Sequence, residues 1–437
     1  MLAVIMVAIL VYVVAGIQMW HLGRLWINPM TFILAYYFFN YPIRAILVLY
    51  FPDVYNKHGF DDSDVMAALT YSTIYVVFFV GAYLAILKTQ RIEFVVPTFS
   101  DTRLDIRLFF VSAALTLLAG AVTMGYEISI GGAFSLGADI EELRRPFWVN
   151  AFGVFSTLKW FSLCLGILTY LRTRATLVLL TSLLLLGLIV VEGVLSTGKG
   201  LFAAIIMMFL FLDNLLTGRT VRLPIVLVGG LVLVFFSAYS YYARYYIGFG
   251  EESEGGLGNM IAFLSSGELV DLVGDQLENI LNRGTYYLDA LTLMIKDGLG
   301  VDPGPYAFGS VVEIVNIIPR AAGFDLEQYS FDRHVSESVW RTGVFVQIFI
   351  GRIGESFFVL GYFGIVYALI NGVIFAFVAS RWRSSSASLS GISLYLAILL
   401  SWLHQDASLF YQIKSLLYVL LAFWVVKLIA RYVRVVG

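Results

Sequence analysis

Long apolar runs dominate the chain and leave very few folds open to it. Each residue advances an α-helix by about 1.5 Å, so a helix needs roughly 20 apolar residues to cross a bilayer. Eleven runs approach or exceed that length, the tenth being short: 1–20, 30–50, 66–87, 108–126, 151–171, 176–195, 201–217, 224–243, 355–380, 389–403 and 410–430. We therefore expect an all-α polytopic membrane protein with about eleven transmembrane helices.

Composition excludes a soluble globular domain. Of the 437 residues, 60% are hydrophobic and 13% are charged, whereas a soluble domain is about half apolar and a quarter charged. The formal net charge of -2 indicates no particular partner, and no nucleic-acid partner is expected. The one cysteine, Cys164, lies in an apolar run, so no disulfide can form within the chain. Residues 1–20 lack signal-peptide features and are expected to remain as the first span.

The distribution of Lys and Arg over the loops predicts the orientation, because cytoplasmic loops are enriched in both. One set of loops is short and basic, and holds Arg24, Lys88, Arg91, Arg103, Arg107, Arg172, Arg174, Arg219, Arg222, Arg381, Arg383, Arg431 and Arg434. The opposite loops are richer in acids, and one of them covers residues 244–343. This alternation predicts an outer N-terminus, a cytoplasmic C-terminus, and a single membrane domain, 1–437, with one large outer loop, 244–343.

The predicted outer loop contains helix-like segments, "NMIAFLSSGELVDLVGDQLENILN" and "TYYLDALTLMIKDGL". Breaks follow at "GVDPGPYAFG" and "IIPRAAGF". Structureless loops of this length are uncommon, and long loops are usually functional. The next segment, 344–354, is apolar but interrupted by Gly351 and Arg352. We expect it either to extend the ninth span or to form a re-entrant piece.

Basic residues are scarce on the predicted outer side, so those present need a reason. They are Arg144, Arg145, Lys199, Arg244, Arg283, Arg320, Arg333, Arg341 and Arg352, with Lys57, Lys296 and Lys414. Each one alone can be a snorkelling anchor or the partner of a nearby carboxylate. Together they suit a lipid diphosphate, because the guanidinium fork matches phosphate oxygens and stays charged when partly buried.

Three residues on the same side are candidates for a general base: Glu355, His334 and Asp406. A general base works best when its pKa lies near the operating pH. The alternatives are a solvated histidine at His334 and an ion pair between Arg352 and Glu355, which stand three residues apart. No spacing typical of a metal site, a P-loop or a dinucleotide site is found, so no metal and no cofactor is expected.

Several segments in roughly residues 190–430 point to one family: "VLSTGKGLFAAIIMMFLFL", "NRGTYYLDALTLMI", "IIPRAAGFDLEQYSF", "GRIGESFFVLGYFGIVYALINGVIF" and "HQDASLFYQIKSLLYVLLAF". They resemble bacterial O-antigen polymerases, the oligosaccharide repeat-unit polymerases. The resemblance implies a membrane glycosyltransferase with a GT-C-like layout at the outer face of the inner membrane. Its substrates would be glycans on undecaprenyl diphosphate. Its other partners would be membrane lipids and a chain-length regulator.

Within that resemblance, we expect Arg283, Arg320, Arg244, Arg352 and Lys199 to bind the diphosphate. Glu355, His334 or Asp406 would accept the proton of the sugar hydroxyl. A ligase that moves a finished glycan onto a lipopolysaccharide core would have nearly the same layout, and stays open as an alternative. A transporter is disfavoured because no inverted repeat is evident, and a membrane scaffold would leave the outer arginines without a common purpose.

The predicted orientation can be checked by cysteine labelling. A cysteine placed at Arg91 or Arg381 should resist an impermeant maleimide in intact cells, because both positions lie in predicted cytoplasmic loops. Cysteines placed in loop 244–343 should react. Labelling of position 381 from outside intact cells would contradict the topology.

Overall fold

The computed structural model describes residues 2–22, 28–56, 58–89, 102–129, 146–195, 199–217, 227–232, 287–298, 350–384, 388–403 and 409–432. All regular structure in these ranges is helical. The α-helices are numbered in chain order as α1 (Leu2–Leu22), α2 (Pro29–Phe38), α3 (Arg44–Tyr50), α4 (Pro52–Tyr55), α5 (Asp62–Thr89), α6 (Thr102–Ser129), α7 (Phe147–Ser156), α8 (Lys159–Thr173), α9 (Thr176–Leu195), α10 (Lys199–Thr217), α11 (Tyr287–Lys296), α12 (Gly351–Leu360), α13 (Ile365–Ser384), α14 (Leu389–Trp402) and α15 (Leu409–Tyr432).

Within these described ranges, eight helical segments are long and apolar enough to cross a membrane, which confirms the all-α membrane class. They are Leu2–Met19, Pro29–Tyr50, Asp62–Thr89, Arg103–Tyr126, Ala151–Thr173, Thr176–Gly193, Gly351–Arg381 and Gln412–Tyr432. The seventh and tenth predicted spans form shorter apolar helices, Leu201–Thr217 and Leu389–Trp402. The eighth, 224–243, is described only over 227–232, where it is helical. Of loop 244–343, the described part is 287–298.

The second predicted span is interrupted by a π-helical turn, Phe39–Ile43, that contains Pro42. Proline has no N–H group and its ring clashes with the carbonyl four residues earlier, so a regular α-helix cannot continue through it. The wider turn accommodates the ring, and α3 resumes at Arg44.

The ninth predicted span, 355–380, is not one continuous helix. The short helix α12 ends at Leu360, a 3₁₀ turn covers Gly361–Gly364, and α13 follows. Gly361 has a φ of 56°, in the left-handed region that favours glycine. At Gly364, a Cβ atom would collide with the backbone oxygen of Ser356 and the hydroxyl of Tyr71. The two glycines therefore permit the break, and residues 351–354 belong to the short helix α12 within the helical segment Gly351–Arg381.

The Cα positions form two compact units, and the first contains Met1–Phe94, Ile280–Ser384 and Ser401–Leu416. Its largest helix pair is α5 with α13. These two helices approach closely because Gly372 lies against the backbone carbonyl of Phe79. The Phe375 ring packs beside the rings of Phe79 and Tyr83. This pair forms the apolar centre against which α11 and α12 are placed.

The second unit contains Val95–Asn279, Ser385–Leu400 and Leu417–Gly437. Helices α6, α8 and α9 pack together in it, and Gly166 of α8 lies against Phe109 and Ser182. A hydroxyl contact of 3.3 Å between Thr116 and Ser162 joins α6 to α8. Small residues at such contacts allow membrane helices to approach closely.

Candidate functional site in the first unit

Arg352 and Glu355 lie on α12, and both side chains are buried. Arg352 is 0% exposed and Glu355 is 1% exposed. All residues from Gly351 to Val359 are buried, so α12 runs through the interior of its unit rather than along its surface. Ionisable groups are costly at such positions and are expected to be held by polar partners inside the protein.

The Arg352 guanidinium is held by groups from two other helices. Its Nη1 donates to Oδ1 of Asn371 at 2.6 Å, and its Nη2 donates to the backbone oxygen of Trp402 at 3.1 Å. The guanidinium carbon also lies 5.0 Å from the centre of the Trp402 ring, within the range of a cation–π interaction. These contacts join α12 to α13 and to the last residue of α14.

Asn371 is the central residue of this network. Its Oδ1 also accepts a bond of 3.0 Å from the indole Nε1 of Trp402. Its Nδ2 donates to the hydroxyl of Tyr75 on α5 at 3.3 Å. One buried amide therefore links Arg352, Trp402 and Tyr75, and hence α12, α13, α5 and the last residue of α14.

Glu355 holds the beginning of α15. Its Oε2 accepts a bond of 2.6 Å from the backbone N–H of Leu409, the first residue of that helix. A carboxylate is favourable at a helix N-terminus, and a guanidinium is favourable at a C-terminus. Glu355 and Arg352 meet both conditions, since Arg352 bonds to the last residue of α14. Arg352 thus bonds to Asn371 of α13 and to the end of α14, and Glu355 bonds to the beginning of α15.

A second buried charged pair joins Arg44 of α3 to Asp289 of α11. Arg44 Nε donates to Oδ1 at 3.0 Å and Nη2 donates to Oδ2 at 2.6 Å. Nη2 also donates to the backbone oxygen of Tyr55 at 3.2 Å. Burial raises the pKa of the Asp289 carboxyl above its ordinary value, and the bonds to Arg44 oppose that rise.

The sequence pattern does not single out this second pair, because Arg44 falls inside the apolar run 30–50, which is predicted as a span. An arginine within a membrane run is itself the signal that could have found it. Its partner could not be read from the sequence, since the two residues are 245 positions apart. Asn371 and Trp402 were missed for a similar reason: an amide and an indole among apolar residues carry no distinctive pattern.

The structure describes the side chains of only two predicted site residues, Arg352 and Glu355, and it places them on one helix. Lys199 is the first residue of α10, and its side chain lies outside the described part of the chain. Five others lie outside the described ranges: Arg283, Arg320, Arg244, His334 and Asp406. Another acidic residue of an apolar run, Glu192, accepts a bond of 2.6 Å from Lys159 in the second unit.

Within the described residues, no group of three or more His, Cys, Asp or Glu side chains is arranged to hold a metal ion. Comparison with protein-family models, curated proteins and solved structures finds no match.

The network makes Asn371 a sensitive position. Asn371→Leu keeps the branched shape and the number of side-chain heavy atoms but removes the acceptor of Arg352 Nη1 and Trp402 Nε1, so it should lower stability by about 1–3 kcal/mol. Thermal unfolding in detergent measures the effect. Ser380→Ala is the matched control on α13, because its buried hydroxyl bonds within its own helix, to the carbonyl of Phe377. An Asn371→Leu midpoint equal to that of Ser380→Ala would contradict the role of the network.

Proposed function

We propose that the protein is a glycosyltransferase that polymerises oligosaccharide repeat units carried on undecaprenyl diphosphate at the outer face of the bacterial inner membrane. The proposal includes about eleven spans, loop 244–343 outside, an outer N-terminus and a cytoplasmic C-terminus. The observation that carries it is the burial of Arg352 and Glu355 on a short helix next to a membrane span. The sequence resemblance supports the choice of substrate.

The position of α12 fits this function. Helix α13 has 20 residues, and residues 365–380, which precede Arg381, give about 24 Å of helix. The 3₁₀ turn and the end of α12 then complete the roughly 30 Å of the hydrocarbon core. With Arg381 in the cytoplasm, the beginning of α13 faces outwards. Tyr362 and Phe363 immediately precede it and are 63% and 82% exposed, as expected for aromatic residues at a membrane interface. The charged helix α12 is therefore expected near the depth of a lipid diphosphate.

The chemistry requires two kinds of group. The diphosphate leaves with a growing negative charge, which arginines can stabilise through preorganised electrostatics. The attacking sugar hydroxyl must lose a proton to a base. We assign the first role to Arg283, with Arg320, Arg244, Arg352 and Lys199 in support. We assign the second to Glu355, with His334 and Asp406 as the alternatives. The protein partners with lipid-linked glycans and membrane lipids, and a chain-length regulator would act beside it.

The proposal is tested by incubating purified protein with a lipid-linked repeat unit and looking for a ladder of products on a gel. A ladder is expected. Transfer to lipid A-core without a ladder would identify a ligase instead. Movement of the lipid-linked unit across vesicles without any new glycosidic bond would identify a transporter.

Arg283 should be essential for the diphosphate. Arg283→Ala should abolish the ladder while expression and thermal stability stay near those of the parent. Arg283→Lys should restore activity only partly, because an ammonium cannot reproduce the bidentate fork of a guanidinium. Full activity in both variants would remove Arg283 from the site.

Glu355 has two possible roles, and Glu355→Gln separates them. Glutamine keeps an acceptor oxygen for the Leu409 N–H group but cannot take a proton at neutral pH. If Glu355 is the base, the substitution should lower the rate by about 10²–10⁴-fold while the protein stays folded and binds substrate. The measurements are initial rates, lipid binding and thermal unfolding.

A Glu355→Gln protein with the parental rate would limit Glu355 to holding α15. The base would then be sought with His334→Ala and next at Asp406. Glu355→Leu is the matched structural control, because it removes the acceptor as well as the charge. It should therefore lower the thermal midpoint more than Glu355→Gln does.

A further inference from the structure

We propose that the buried ion pair of Arg44 and Asp289 is a latch that docks α11 on the membrane helices and thereby positions α12. Arg44 and Asp289 are then positioning residues for the reaction rather than groups that touch the substrate. The inference rests on the proposed function only in so far as α12 carries reacting groups. The docking of α11 itself can be measured without any substrate.

The geometry of the pair suits a latch. Both oxygens of Asp289 accept bonds from Arg44, at 3.0 and 2.6 Å, and both side chains are buried. Such a bidentate arrangement fixes orientation as well as distance. The Tyr55 ring, 5.5 Å from the guanidinium carbon, covers another part of Arg44. The pair joins segments that are 245 residues apart, and so closes the fold over a long stretch of chain.

Local structure decides where Arg44 points. It directly follows the π-helical turn Phe39–Ile43. A π-helical turn changes the register of the residues that follow it relative to a continuous α-helix. The turn that contains Pro42 therefore sets the face of the span from which Arg44 extends. The π-helical turn itself packs against α11.

Helix α11 in turn forms a wall for α12. The ring of Tyr287 comes within 3.0 Å of the position that a Cβ of Gly351 would occupy, and Met294 comes within 3.3 Å of the corresponding position at Gly354. Gly351 immediately precedes Arg352, and Gly354 immediately precedes Glu355. On its other side, Tyr287 packs against Tyr36, with ring centres 5.9 Å apart. A shift of α11 would therefore remove the support on which the two charged residues of α12 are placed.

The charges themselves indicate a role in orientation. A buried ion pair adds little net stability over an apolar pair of similar volume, whereas removal of one partner leaves an uncompensated buried charge. An apolar contact could attach α11 equally well, but it would not define a single alignment. A single substitution should therefore loosen α11, because it leaves one buried charge unpaired, whereas a double apolar substitution should attach α11 again.

The test measures labelling of Ala290→Cys, a position that is fully buried on α11, by a maleimide in the purified protein. Arg44→Met should raise the labelling rate on the order of tenfold or more, because it leaves Asp289 buried without its partner. Asp289→Asn should raise it less, since one acceptor oxygen remains. The double variant Arg44→Met/Asp289→Leu should return it towards the parental rate.

Two controls show that the effect is local. Lys159→Met breaks the ion pair with Glu192 in the other unit and should leave labelling of position 290 unchanged. Native Cys164 is buried and should stay unlabelled in every variant, as judged by mass spectrometry. Labelling of Cys164 together with position 290 would mean general unfolding and would count against a latch.

The outcome for the latch is separable from the outcome for the proposed function. Polymer formation should fall in Arg44→Met, mainly in kcat, and should stay low in the double variant, because an apolar contact restores the attachment of α11 but not its alignment. Faster labelling in Arg44→Met without polymer from any variant, the parent included, would support the latch and refute the proposed function. Unchanged labelling in both single variants would overturn the latch, whatever the activity.

Discussion

A guanidinium buried among membrane helices must find its polar partners inside the protein, and in the first unit this constraint organises the helices around Arg352. Its partners are the side chain of Asn371 and the backbone oxygen of Trp402. Asn371 extends the network to Tyr75. In a medium of low dielectric constant each of these bonds is strong, and each group would be costly if it were left unpaired. The network therefore fixes the relative placement of the helices it joins.

Glu355 applies the same constraint to a neighbouring helix end. Its carboxylate accepts the N–H group of Leu409, where the dipole of α15 favours negative charge. Arg352 and Glu355 thus bind one helix end each, the end of α14 and the beginning of α15. The proposed chemistry requires the same two charges to lie at the depth of a lipid diphosphate. Preorganisation is compatible with both roles, because groups held rigidly need no reorganisation during reaction.

The pair of Arg44 and Asp289 shows the same principle between distant parts of the chain. Both charges are buried, and each is neutralised by the other through two bonds. The proposed latch connects this pair to α12 through Tyr287, Met294 and the glycines that they contact. On this view, two sets of charges act on α12. Arg352 and Glu355 bind the ends of neighbouring helices. The pair of Arg44 and Asp289 holds α11, which supports α12.

Much of the fold follows from local pattern. The apolar runs predict membrane helices because the length and hydrophobicity of a span are properties of consecutive residues. In the part of the chain that the structure describes, eight of them form helical segments long and apolar enough to cross. The break at Gly361 was not predicted, since glycines are common in membrane helices and only the backbone conformation reveals its φ of 56°. The sequence singles out Arg352 and Glu355 as unusual charges, but it contains no sign of their partners.

The sequence by itself determined that the chain is a helical membrane protein and that unusual charges lie beside its ninth apolar run. Both conclusions rest on consecutive residues, which is the only information that a hydropathy pattern contains. Tertiary structure decided that Arg352 bonds to Asn371 and Trp402, that Glu355 bonds to Leu409, and that Arg44 meets Asp289. These partners are 19 to 245 positions apart. Only the packing of helices brings such distant positions together. Once packing has excluded water, buried polar groups must bond to whichever partners lie beside them.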